Sequence, residues 1–258
     1  YKRQREASPM TAVAVSGAAG RMGRLIAAAI DDAADLELVA LFDPVHEGET
    51  IAGLTVSNDP GVCAAADVVV ESTLPDVVLG NLRQWAELEC HAVVGTSGVS
   101  TSEVASFWPD ELGCLIVPNY SLGAVLMMRF AEMAAPHFRA AEIIELHHDE
   151  KVDAPSGTAV STADRIAAAN PKQVRRTESI EKTEGVRGGE VSEIPIHSVR
   201  LPGLLAHQEI LMGNIGEVLT IRHDSTDRAS FMPGVLAAVR YVKGLSGVEL
   251  GLESVLGI

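Results

Sequence analysis

Between Glu145 and Ala159 the chain reads Glu-Leu-His-His-Asp-Glu-Lys-Val-Asp-Ala-Pro-Ser-Gly-Thr-Ala, the stretch whose residue types most directly suggest chemistry. His147 and Lys151 bring exchangeable protons and positive potential to one place. That suits a reaction that leaves a carbanion-like centre in need of a proton, such as hydride addition to a conjugated imine. Just beyond them, Pro155-Ser156-Gly157-Thr158 reads as the opening of a helix. Its unpaired N–H groups and two hydroxyls would receive a carboxylate. Two plainer readings compete. His147 and His148 followed by Asp149 and Glu150 could hold a metal, but neighbouring side chains of an extended segment point to opposite sides. No second cluster with zinc-like spacing stands out, so no metal is expected. The other reading is a solvated charged loop, against which the Ser-Gly-Thr helix opening argues.

A second chemical signal lies near the start, where an apolar run over residues 12–16 passes into Gly17-Ala18-Ala19-Gly20-Arg21-Met22-Gly23 and then a helical pattern. The spacing is GxxGxxG rather than GxGxxG, with the same physical logic. Glycine permits a tight turn and close backbone approach, and a helix N-terminus offers free N–H groups to a pyrophosphate. Asp43 follows a second apolar run, where a carboxylate can accept hydrogen bonds from ribose hydroxyls. The combination predicts dinucleotide binding through Gly17, Gly20, Gly23 and Asp43. Because a carboxylate repels a 2′-phosphate, NADH is expected to serve at least as well as NADPH.

These residues need elements to position them. Strands are predicted at 12–16, 38–42, 67–70, 91–94 and 114–117, with helices at 22–29 (Leu25, Ile26, Ala29 and Ile30 on one face) and from Pro75 through Leu88. Strand–helix alternation implies a parallel sheet with helices on both faces. After Pro118 the pattern changes. One long helix is predicted over 121–138, a strand at 141–147, a helix at 157–169 and a long polar loop over 170–192. Strands at 197–200, 206–212 and 218–223, a turn at 224–228 and a final helix at 231–242 follow. The class is therefore α/β, with a dinucleotide-binding domain over 10–121, rejoined by 229–258, and a second, mixed domain over 122–228.

Composition narrows the partners. The 258 residues carry 20 basic and 35 acidic side chains, a formal charge of −15, which disfavours nucleic acid. No window approaches the roughly 18 uninterrupted apolar residues of a membrane helix. Residues 1–9 are charged, lack an apolar core, and are expected to be a remnant ahead of a native start at Met10. Cys63, Cys90 and Cys114 form no CxxC pair and are expected to be free thiols in a reducing cytoplasm.

Together the segments HHxxKxDAPSGTA from His147, GAAGRMG from Gly17, Gly95-Thr96-Ser97-Gly98, Pro118-Asn119-Tyr120-Ser121 and Gly216-Glu217-Val218-Leu219 with His223 and Arg228 resemble the dihydrodipicolinate reductases. The resemblance spans nearly the whole chain. It implies a Rossmann-like parallel-sheet domain, a mixed α/β domain, and a homotetramer joined through the second domain's sheets. It also implies a small dicarboxylate substrate, 4-hydroxy-tetrahydrodipicolinate, on the route to diaminopimelate and lysine. By matching residue it makes His147 and Lys151 the catalytic pair, with Lys151 the proton donor and His147 polarising the substrate. His148, Ser156, Gly157, Thr158 and Ser97 would hold the substrate. Gly17, Gly20, Arg21, Met22, Gly23, Asp43, Gly95 and Thr96 would face the cofactor, with Asn119 and Tyr120 flanking the nicotinamide. The chain departs from the family in three places. Glu71-Ser72-Thr73-Leu74-Pro75 replaces an Asp-Phe-Thr-x-Pro, Ser97 stands where a second threonine is common, and Asp149-Glu150 make the spacer acidic. A dinucleotide-binding sensor without turnover, or another dehydrogenase on the same scaffold, is the alternative. The intact His147–Lys151 pair speaks against the sensor.

Overall fold

The computed structural model describes residues 10–172 and 180–258. The segment 1–9 and part of the stretch 170–192 lie outside the described residues. In chain order the elements are β1 (Thr11–Ser16), α1 (Arg21–Asp31), β2 (Leu36–Phe42), β3 (Thr50–Ile51), β4 (Leu54–Thr55), β5 (Val68–Glu71), α2 (Val78–Glu87), β6 (His91–Val94), α3 (Thr101–Ala105) and β7 (Gly113–Ile116). Then come α4 (Leu122–Ala134), β8 (Ala140–His147), α5 (Gly157–Ala169), β9 (Gly189–Val191), β10 (Ile194–Arg200), β11 (Ala206–Asn214) and β12 (Glu217–Ser225). The last are α6 (Met232–Val242), β13 (Gly247–Leu250) and α7 (Glu253–Leu256). They form two compact units, one comprising the described residues up to Tyr120 with Phe231–Ile258, the other Ser121–Ser230.

The first unit is built on a six-stranded sheet in the order β13-β7-β6-β5-β1-β2, every pair parallel. Val13, Ala14 and Val15 of β1, Val68 to Val70 of β5 and Ala92 to Val94 of β6 are fully buried. A parallel sheet covered on both faces needs such continuous apolar runs. The strand order turns around at β1, with β2 on one side and β5 on the other. That is the switch point at which a crevice opens beyond the strands' C-terminal ends.

The second unit carries a mixed five-stranded sheet, β12-β11-β8-β10-β9, in which only β8 and β10 run parallel. Helix α5 is tied to it by Gln208 on β11, whose Nε2 donates to Thr162 Oγ1 at 2.8 Å, both residues buried. β11 and β12 form a tight hairpin in which Gly216 takes φ +84°, a conformation that glycine reaches without steric cost.

Several elements differ from the sequence reading. Helix α1 buries Gly23, Ile26, Ala27 and Ile30, so its buried face is rotated away from Leu25 and Ala29. Helix α2 begins at Val78, not Pro75; Leu74 to Val77 form a turn closed by Val77 N donating to Leu74 O. The long helix ends at Ala134, because Pro136 has no N–H to continue it, and a 3-10 turn follows. The predicted loop over 170–192 contains β9, paired with β10, and β12 runs on to Ser225. The edge strand β13 was not anticipated: Gly-Val-Glu-Leu is too short to announce itself, and its pairing with β7 depends on where α6 delivers it. Among the described residues, no helix is long and apolar enough to cross a membrane.

Candidate active site

The turn between β1 and α1 lies at the switch point. Gly17 has φ +74°, and a Cβ there would sit 2.9 Å from the Ser72 carbonyl oxygen. A Cβ on Gly23 would come within 2.1 Å of the Gly17 carbonyl oxygen, so that position admits no side chain without backbone movement. Gly20 is the N-cap of α1 and supplies no side-chain cap, and the helix has no acidic residue in its first turn. Its leading N–H groups are thus suited to an anion. Arg21 is exposed and Met22 half-buried at the same end.

Asp43, just past β2, is buried. It accepts hydrogen bonds from Ala19 N (3.3 Å), Val45 N (3.0 Å) and His46 Nδ1 (3.0 Å). Burial alone would raise its pKa, but the bonds from His46 and the two amides outweigh that and hold it below the ordinary carboxylate value. The residue is thus an anion that already braces the glycine turn. The Arg24 guanidinium bridges this turn and Glu49, its Nε donating to Ala19 O at 3.0 Å and its Nη2 lying 2.6 Å from the carboxylate.

The loop after β5 forms the other wall of the turn. Glu71 ends β5 with no solvent exposure. Its carboxylate accepts from Thr73 N at 3.1 Å, the Thr73 hydroxyl, Asn81 Nδ2 at 3.4 Å and Trp85 Nε1 at 2.9 Å. Thr96 Oγ1 donates to Thr73 O at 2.9 Å, joining this loop to the one after β6. A Cβ on Gly95 would lie 2.6 Å from Tyr120 Cε2, so the ring closes over that glycine. The Tyr120 hydroxyl is buried with no hydrogen-bond partner among the described residues, and burial, then the Glu71 charge, push its pKa up. Asn119 immediately precedes Tyr120, and Ser97 lies exposed in the turn after β6. A tight turn with no side chain larger than alanine before Arg21, open helix N–H groups and an ionised Asp43 together fit a dinucleotide.

In the second unit His147 ends β8, pairing with Arg200 on β10 and Ala206 on β11. Its Nδ1 bonds to a carboxylate oxygen of Glu145, two residues back on the same face of the strand. Glu145 has no exposure and is gripped from the other side by Arg200, whose Nη1 donates to Oε2 at 3.1 Å and whose Nη2 lies 2.9 Å from Oε1. Burial would raise the Glu145 pKa, but bonds from His147, Arg200 and Ser198 outweigh it and hold it at about 2.

Lys151 follows a turn in which its N–H donates to His148 O at 3.2 Å. The two spacer acids, Asp149 and Glu150, are exposed, and the ammonium pairs with Asp153 at 2.7 and 2.8 Å. Ser156 is buried and caps α5, its hydroxyl accepting from Ala159 N at 3.2 Å. Gly157 and Thr158 form the first helical turn.

The structure therefore gathers His147, His148, Lys151, Ser156, Gly157 and Thr158 on one stretch of the second unit, and the remaining predicted residues, Ser97 included, in the first. Sequence reading assigned no role to Glu71, His46, Glu145 or Arg200. Glu145 had a signal, the two-residue spacing to His147 on a strand. Arg200 had none, since strand register alone brings it there. Among the described residues, no group of three or more His, Cys, Asp or Glu side chains is placed to hold a metal ion.

A parallel sheet with its reversal at β1, a glycine turn that admits no Cβ at Gly17 or Gly23 and a second unit bearing an imidazole and an ammonium define a dinucleotide-dependent oxidoreductase. Comparison with known proteins narrows the class. Residues 11–120 match the family described as dihydrodipicolinate reductase, N-terminus, and residues 123–256 match its C-terminal counterpart. The chain belongs to the dihydrodipicolinate reductase family. It is 46% identical over 252 residues to the 4-hydroxy-tetrahydrodipicolinate reductase of Mycobacterium marinum, covering 95% of this chain and 99% of that one. It is 47% identical to the enzyme of the same name from Nocardia farcinica, covering 95% and 98%. A dipicolinate-bound dihydrodipicolinate reductase from Paenisporosarcina sp. TG-14 superposes with a TM-score of 0.84 at 37% identity, over 95% of this chain and 99% of that one. Scyllo-inositol dehydrogenase from Lactobacillus casei, at 11% identity and a TM-score of 0.60 over 96% and 92%, shares the fold.

Proposed function

We propose that this chain reduces 4-hydroxy-tetrahydrodipicolinate, with loss of water, to tetrahydrodipicolinate, using a reduced nicotinamide dinucleotide. The observation that carries the reading is that a chain of this family holds both a tight glycine turn at the switch point of its first unit and the His147–Lys151 segment in its second. When bound, the dinucleotide supplies the hydride. Gly17, Gly20, Arg21, Met22 and Gly23 receive its pyrophosphate, and Asp43 takes the adenosine ribose hydroxyls. Gly95, Thr96, Asn119 and Tyr120 line the nicotinamide end.

The substrate's two carboxylates call for donors. The amides of Gly157 and Thr158, with the Thr158 hydroxyl and the buried cap Ser156, sit at a helix N-terminus, where negative charge is favoured. His148 belongs with that set, and Ser97 is the candidate substrate residue of the first unit. Lys151 Nζ delivers the proton to the carbanion-like ring carbon next to the one that takes the hydride, and His147 polarises the ring. Its carboxylate partner, Asp153, keeps the ammonium near the turn until the dicarboxylate competes for it.

The reading extends to three finer points. NADH serves at least as well as NADPH, because the anionic Asp43 meets a 2′-phosphate with like charge. Swapping it, Asp43→Arg, moves preference towards NADPH. The protein assembles as a homotetramer through the second unit's sheet, whose strand β12 exposes Val218 and Leu219. It works in the cytoplasm.

The deciding experiment follows oxidation of NADH, and separately NADPH, with enzymatically generated hydroxy-tetrahydrodipicolinate. Turnover that drops by about 100- to 10,000-fold in Lys151→Ala is the expected result. A protein that binds dinucleotide yet turns over neither cofactor would overturn the reading.

A further inference from the structure

Arg200 makes more contacts near the proposed chemical pair than a charge balance for Glu145 requires. Besides Glu145, its guanidinium donates from Nε to Lys151 O at 3.2 Å and from Nη2 to Asp153 O at 2.5 Å. One planar group thus holds a buried carboxylate on β8 and two carbonyls of the turn that carries Lys151. The fork geometry of arginine makes such a multi-point tie possible, and lysine cannot reproduce it. Glu145, for its part, accepts from His147 Nδ1, which assigns the imidazole proton to that nitrogen and leaves Nε2 for the substrate. Leu201 N, just past the end of β10, donates to His147 O at 3.1 Å and so also holds the His147 backbone.

We propose that Glu145 and Arg200 are positioning residues of this site: Glu145 fixes the tautomer and direction of His147, and Arg200 ties the Lys151 turn to the same carboxylate. The spacing between imidazole and ammonium is then set by one buried ion pair rather than by the exposed Asp149-Glu150 turn. This rests on the reading of His147 and Lys151 as the chemical pair. Misplacing reacting groups by about 1 Å costs on the order of 100-fold in rate, which is the scale of effect to expect.

The test uses the full chain with Glu145→Gln, Glu145→Asp and Arg200→Lys beside Lys151→Ala. Two readouts are taken: the kcat and KM pair for hydroxy-tetrahydrodipicolinate, and the 15N chemical shifts of the His147 imidazole nitrogens. Wild-type protein should carry the proton on Nδ1. Glu145→Gln should redistribute it towards Nε2 and lower kcat on the order of 100-fold with KM changed much less. Glu145→Asp should recover part of both. Arg200→Lys should lower kcat while leaving the tautomer in place, since the carboxylate remains. An unaltered tautomer in Glu145→Gln, or wild-type kcat in both Glu145→Gln and Arg200→Lys, would overturn the proposal. The nitrogen shifts need no turnover, so they decide the brace even if Lys151→Ala stays active and the reading of the chemical pair falls. Should Glu145→Gln fail to fold, Glu145→Asp and Arg200→Lys carry the same decision.

Discussion

Glu71 and Glu145 are two fully buried carboxylates, each at or near the C-terminal end of a strand, in different units of the molecule. Their surroundings differ in kind. Glu71 is met by neutral donors only, the amide and hydroxyl of Thr73, Asn81 and Trp85. Glu145 is met by a guanidinium and an imidazole. Neutral donors fix a shape and leave no group on the far side whose charge can change. Charged and titratable donors couple the carboxylate to protons and to whatever chemistry its partners do. The first arrangement suits a loop that must hold still beneath a cofactor; the second suits a site where a proton moves.

The contrast can be broken or sharpened by measurement. The largest effect is expected from Glu145→Ala, which strands Arg200 without its counter-charge. Such a loss costs about 3–5 kcal/mol, read as a lowered denaturant midpoint, and turnover should collapse with it. Next comes acid unfolding. Because the folded Glu145 sits at about 2 against 4.5 for a free glutamate, its stabilisation is complete above about pH 4.5 and disappears as pH falls towards 2. Glu145→Gln should therefore be less stable than wild type by on the order of 3 kcal/mol at neutral pH, with the gap closing in that window. A gap independent of pH would break the contrast.

Glu71→Gln should act more gently. Its amide must turn its –NH2 either towards Trp85 Nε1–H or towards Thr73, donor against donor in both cases, at a cost of about 1–3 kcal/mol. The loop below Gly17 should loosen, raising KM for the dinucleotide several-fold while kcat holds; a fall in kcat alone would erase the distinction between the two sites. The smallest kinetic change is Trp85→Phe, which takes from Glu71 Oε2 its donor and leaves a gap where the buried indole packed; it should cost about 1–3 kcal/mol in thermal unfolding with little effect on either kinetic constant.

Much of this could be read from the chain before any coordinates. The glycine turn and Asp43 are local: strand, turn and helix follow one another, and steric demand at Gly17 and Gly23 writes itself as residue identity. The Ser156 cap is local in the same way. What escaped was set by register and delivery. Arg200 reaches Glu145 because β10 lies beside β8, and β13 joins the sheet because α6 ends beside β7. Pairings across more than fifty residues leave no periodic mark. Glu71 was noticed as a departure from the family, but Trp85, the donor that a longer side chain reaches, stands 14 positions away on another element.

The return of residues 231–258 to the first unit has a consequence for biogenesis. Helix α6 packs so closely that a Cβ on Gly234 would lie 1.9 Å from the Tyr120 carbonyl oxygen, and β13 completes the sheet edge. A ribosome adding about 5–20 residues per second emits the whole of 121–230 before either piece exists. The unit begun first is thus finished last, and the second unit, one uninterrupted stretch, is synthesised whole about 1–6 seconds before the first unit's sheet can be completed. Chains truncated after residue 230 and released from the ribosome should present a protease-sensitive first unit and a resistant second unit on the same polypeptide.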